Sequence, residues 1–177
     1  MLGYTPTSTT SAKARINLTF TTANNATVAN TTALTIPKFT KFSSGAIDGV
    51  NYIYTNLDEI TVEKASNQFT FPNLILTEGT PVSYVFTYDQ LSNPMQEFIL
   101  PDIDIDTLTL EVIVQNSSVD TTQVTYTKSI DAVSSISSNN TIYFLDQAND
   151  QKYKIYFGDD ILGKKLTDGN IVIVSYL

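Results

Sequence analysis

The chain has 177 residues with ten basic and 18 acidic side chains, a net charge of -8, and neither His nor Cys. That length sets an expectation of one domain or two small ones. The missing residue types exclude a Ser-His-Asp triad, a Cys nucleophile, a histidine acid/base, a disulfide framework and the ordinary ligand sets of zinc or haem.

Taken in order, residues 5–12 are rich in Ser and Thr without an apolar period, which predicts an extended lead-in. Ile16, Leu18 and Phe20 then alternate with Arg15, Asn17 and Thr19, the period of a half-buried strand. Residues 21–32 are polar and expected as a loop. Tyr84, Phe86 and Tyr88 repeat the alternation against Ser83, Val85 and Thr87, and Leu108, Leu110, Val112 and Val114 do so against Thr107, Thr109, Glu111 and Gln115. One short helical turn is expected within residues 131–138. Tyr153, Ile155 and Phe157 alternate with Lys152 and Lys154, whereas Ile171 to Val174 is apolar on both faces, as in a strand covered on both sides. Asp48-Gly49, Glu78-Gly79, Asn93-Pro94 and Asp168-Gly169 supply turn chemistry between these runs. The reading is an all-β chain of ten to twelve short strands in two small antiparallel subdomains, sandwich-like or barrel-like. The polar turn Leu91-Ser92-Asn93-Pro94 is expected to divide an N-terminal β subdomain, residues 1–92, from a C-terminal one, residues 93–177.

The surface chemistry narrows the partners. Ser, Thr and Asn make up nearly a third of the chain, and Arg15 is the single arginine. Phosphate neutralisation needs clustered Lys and Arg, so nucleic acid and anionic membrane are poor partners. No apolar run approaches the roughly 20 residues of a membrane span, and Met1-Leu2-Gly3-Tyr4 lacks the basic start and apolar core of a signal peptide.

Three patterns mimic functional motifs. Gly158-Asp159-Asp160-Ile161-Leu162-Gly163-Lys164 satisfies G-x-x-x-x-G-K, but Lys165 stands where a phosphate loop has Ser or Thr, and no helix follows. Gly158, Gly163, Asp168 and Gly169 therefore read as structural turn residues of a bent β connection. Asp102, Asp104 and Asp106 match the start of a calcium loop, yet Thr107 and Ile113 occupy the positions of its turn glycine and bidentate glutamate. They read as a solvated acidic edge and a candidate interface to a basic partner. Paired carboxylates leave a hydrolase formally open, without a pairing signal or a Trp platform. No cofactor and no small-molecule substrate are expected. The five Asn-x-Ser/Thr sequons, at Asn17, Asn25, Asn30, Asn116 and Asn139, follow from the composition.

The segment from Tyr153-Lys154-Ile155-Tyr156-Phe157-Gly158-Asp159-Asp160 through Asp168-Gly169-Asn170 to Val174-Ser175-Tyr176 carries a further signal, together with Leu2-Gly3-Tyr4-Thr5-Pro6, Ile36-Pro37-Lys38-Phe39, Leu76-Thr77-Glu78-Gly79 and Phe98-Ile99-Leu100-Pro101. In this order, and over nearly the whole chain, these stretches resemble the baseplate J-like proteins of contractile-tailed phages, baseplate wedge subunits among them. Asp160 departs from the family's common glycine after F-G-D; Asp tolerates a left-handed backbone better than most residues. Family members also extend beyond both ends of the matched region, so the resemblance implies an excised β region of a larger subunit. It implies a structural, non-enzymatic virion component of the tail baseplate, assembled in the host cytoplasm, with other wedge proteins and copies of itself as partners. The residues by themselves fit a receptor- or carbohydrate-binding β module as well.

Overall fold

The computed structural model describes residues 8–21, 30–129 and 136–177. All regular structure among them is β, in thirteen strands. The chain divides into two compact units, Ser11–Pro81 with Leu177, and Val82–Tyr176 with residues 8–10. The turn at residues 91–94, where the expectation placed the boundary, lies inside the second unit. The strand before that turn is bound along its full length to the last strand of the chain, which holds it in that unit.

The first unit contains β1 (Lys13–Thr21), β2 (Ala33–Ile36), β3 (Lys41–Ile47), β4 (Val50–Thr55), β5 (Ile60–Glu63) and β6 (Gln68–Glu78). They form a four-stranded sheet, β1-β6-β4-β3, and a two-stranded ribbon, β2-β5. On β6 the inward side chains Phe69, Phe71, Leu74 and Leu76 are buried, and with Ile36 they make the core. Burial of each such side chain stabilises by about 1.5–3 kcal/mol. Pro72 and Asn73 interrupt the period: the β1–β6 register shifts between Ile16 and Leu18, Asn73 adopts φ 54°, and its N–H donates to Asn17 Oδ1 at 2.9 Å. Pro72, which lacks a ladder donor, is accommodated at this bulge. Asp48 and Gly49, at φ 50° and 80°, close the β3–β4 hairpin as a two-residue turn.

The second unit contains β7 (Val82–Thr87), β8 (Glu97–Ile99), β9 (Glu111–Gln115), β10 (Gln123–Lys128), β11 (Ile142–Gln147), β12 (Tyr153–Phe157) and β13 (Ile171–Tyr176), in the order β7-β13-β9-β10-β11-β12-β8. Six aliphatic side chains, Leu100, Ile105, Val112, Ile155, Val172 and Val174, and the rings of Tyr88 and Tyr176 are at most 1% exposed and centre its core. The pairing departs from the antiparallel expectation once: β10 and β11 run parallel, through Thr127↔Ile142 and Lys128↔Tyr143. The stretch between Lys128 and Ile142 is long enough for the return that a parallel pair requires. Two further corrections concern single strands. Leu108 lies in a turn and Leu110 just ahead of β9, and of Ile171 to Val174 only Val172 and Val174 are buried, while Ile171 and Ile173 keep partial exposure. The expected helical turn falls largely on residues 131–135 and the lead-in and first loop on 5–7 and 22–29, outside the described residues; residues 136–138 are not helical.

Candidate functional site

The connection from β12 to β13 holds the motif residues. Gly158 sits where a Cβ would lie 2.2 Å from the carbonyl carbon and oxygen of Gly163 and 2.6 Å from Leu162 O, so the two ends of the loop touch through backbone. Asp160 and Gly163 take the left-handed conformation, at φ 68° and 85°. Each N–H from Asp160 to Leu166 already has an acceptor. Asp160 donates to Gly163 O, Gly163 to Ser137 O and Lys164 to Asn140 O. Ile161 and Leu162 donate to Asp159 Oδ1, Lys165 to Asp160 Oδ1 and Leu166 to Gln96 Oε1. A phosphate loop works by presenting free N–H groups to an anion. Here the chain's own carboxylates occupy that role, and the hydrogen bonds from Leu162 and Ile161 hold the Asp159 carboxyl below its usual range.

Gln96 is the residue that the motif reading missed. It is buried, stands at φ 55°, and bridges the loop, donating from Nε2 to Gly158 O at 2.9 Å while Oε1 accepts from Leu166 N at 2.7 Å. The adjacent turn Asp168-Gly169, with Gly169 at φ 83°, is tied likewise: Gln90 N donates to Asp168 Oδ1, Gly169 N to Tyr88 O, and Asn170 Nδ2 to Asn116 O. In the loop 116–122, Asp120 accepts Asn116 Nδ2 and Thr122 N, and Asp89 accepts Leu91 N, Ser92 N and Ser92 Oγ. These hydrogen bonds hold both carboxyls below their usual range.

The three-aspartate segment forms no strand, so its carboxylates do not share one face. Ile105 is driven into the core and turns the chain. Asp102 Oδ2 accepts from Tyr84 Oη at 3.2 Å and from Tyr176 Oη at 2.8 Å, the two rings stacking 6.0 Å apart. Burial, and then Asp102, push both hydroxyls up. Asp106, 2% exposed, caps the turn that follows through Leu108 N, and only Asp104 of the three is exposed. No group of three or more Asp and Glu placed to hold a metal ion occurs among the described residues.

A polar groove of about 480 Å³ lies along β12 and β8, lined by Glu97, Gln147, Asn149, Asp150, Lys152 and Lys154 among others. Lys154 Nζ is bound to Glu97 Oε1 at 2.8 Å, which raises the lysine's pKa. The groove has no aromatic lining residue on which a sugar ring would stack. Chemically, then, the described carboxylates and amides of the second unit are spent mainly on fixing loops.

No family model matches the chain. It is similar to baseplate wedge protein gp6 of Enterobacteria phage T4, 28% identical over 169 residues that cover 94% of this chain, and it spans 23% of that protein's length. This similarity supports a baseplate wedge-like relation.

Proposed function

We propose that the chain is a structural, non-enzymatic part of a contractile-tail baseplate wedge subunit of the baseplate J-like kind. In this reading it works in the virion baseplate, is assembled in the host cytoplasm, and links other wedge proteins and further copies of its own subunit into a ring. The supporting observation is the similarity to a baseplate wedge protein along almost the full chain. The loop chemistry is consistent with it. Backbone amides from Asp160 to Leu166 are used internally, which favours a rigid surface over a binding cradle. Rigid loops lose little conformational freedom when neighbours dock, so many modest contacts sum well in a closed ring. Asp104, exposed at a turn, is the member of the acidic trio suited to meet a basic neighbour. Expression of the complete subunit with candidate wedge proteins tests the reading: it predicts a stable co-purifying complex, and a subunit that elutes alone from every combination contradicts it.

A further inference from the structure

The sheet edges differ in how they are protected. An open edge strand offers unpaired N–H and C=O groups, and proteins blunt it with charge, bulges or short length. In the first unit, β1 carries exposed Lys13 and Arg15 and a bulge, and β3 a bulge beside Gly45 at φ 72°. The ribbon strands β2 and β5 have four residues each. In the second unit, β8 has three residues and ends its sheet with the Glu97–Lys154 ion pair. The opposite edge, β7, has six residues, Val-Ser-Tyr-Val-Phe-Thr, with no charge, proline or bulge, and Val85 is 64% exposed.

Its hydrogen-bonding phase can be read from the ladder. Tyr88 N donates to Asn170 O toward β13, so the even-numbered residues face β13 and the odd ones, Ser83, Val85 and Thr87, turn their main-chain groups outward. Among the described residues no hydrogen bond reaches those groups from the open side.

We propose that β7 pairs antiparallel with β7 of a second copy, about a two-fold axis at Val85. The sequence is self-complementary in that register. Val85 meets Val85, Tyr84 meets Phe86, and Ser83 meets Thr87, all pairings that stabilise sheets. Inward residues stay inward, and the outward main-chain groups form about six inter-chain hydrogen bonds. The interface is isologous and closes as a dimer. It rests on the sheet geometry and stands whether or not the chain serves a baseplate. Because Val82–Tyr176 carries five basic and thirteen acidic side chains, the two copies repel, and added salt strengthens association by screening.

Sedimentation equilibrium of this chain up to about 1 mM, a range suited to a weak contact, should show a dimer that grows with NaCl and is lost in Val85→Lys. The chain has no native thiol, so single-cysteine variants report the register. Paired residues at the axis have Cα atoms about 5.5 Å apart, within disulfide reach. Val85→Cys should therefore cross-link on mild oxidation about tenfold faster than Val119→Cys, although Val119 is the more exposed of the two, through effective concentration. Equal cross-linking rates, a dimer that survives Val85→Lys, or a chain monomeric at the highest concentration would overturn the proposal. The last result would leave the edge for a strand of a different protein.

Discussion

Gly158→Ala tests the loop architecture most sharply. Its Cβ would stand 2.2 Å from the Gly163 carbonyl, against 3.4–4 Å for ordinary contact, so main chain must retreat by more than an ångström. Retreat breaks the bonds made by Asp160, Gly163 and Lys164 N–H. At about 1 kcal/mol per hydrogen bond, and with about 1 kcal/mol or more for overpacking, the loss is about 4 kcal/mol. For a unit of this size that corresponds to a melting shift of about 20 °C. Gly169→Ala is the control: φ is 83°, nothing lies within 4 Å of the new Cβ, and only the left-handed backbone penalty of about 1 kcal/mol applies. Thermal melts followed by near-ultraviolet circular dichroism, with urea titrations alongside, measure both. Equal shifts for the two variants, or an unchanged Gly158→Ala midpoint, would refute the reasoning.

Other outcomes follow from the same contacts. Gln96→Leu leaves Gly158 O and Leu166 N unpaired in a buried place and should cost about 3 kcal/mol in chemical denaturation. Tyr88→Phe removes a buried hydroxyl that has no hydrogen-bond partner among the described residues, so stability should stay within about 1 kcal/mol or rise. In acid, Asp89, Asp120 and Asp159, whose folded pKa values are depressed, contribute stability that is present above their unfolded values and lost as pH falls through the folded ones. Urea midpoints should therefore decline below about pH 4, and Asp159→Asn should flatten that decline. In base the sign reverses: burial pushes Tyr143 up to about 12, so its contribution is complete below the unfolded tyrosine value and disappears as pH rises from there to about 12. Tyr143→Phe should make the alkaline loss shallower.

Strands with strict alternation, β7 and β12, were legible because an amphipathic period reports one buried face. So was the hairpin turn at Asp48-Gly49. Turns made by Ser66-Asn67 and Asp150-Gln151 were not: all four residues stand at positive φ without a glycine to mark them. β6 was hidden for another reason, since Pro72 breaks its period and only the bulge opposite Asn17 restores it. Leu108 and Leu110 kept the alternation of β9 but lie ahead of it, Leu108 in a turn, because Asp106 caps the backbone before the strand begins. At the candidate site, the spacing of Gly158 and Gly163 predicts a bent connection. Gln96 lies 62 residues from the carbonyl that it supports, and no local pattern announces such a partner.

Gold-labelled antibody raised against this chain, applied to purified phage particles whose genome encodes it and viewed by electron microscopy, tests the central claim most directly. The structural reading predicts label at the baseplate end of contractile tails. Particles that contain no such chain, or label confined to the head, would contradict it.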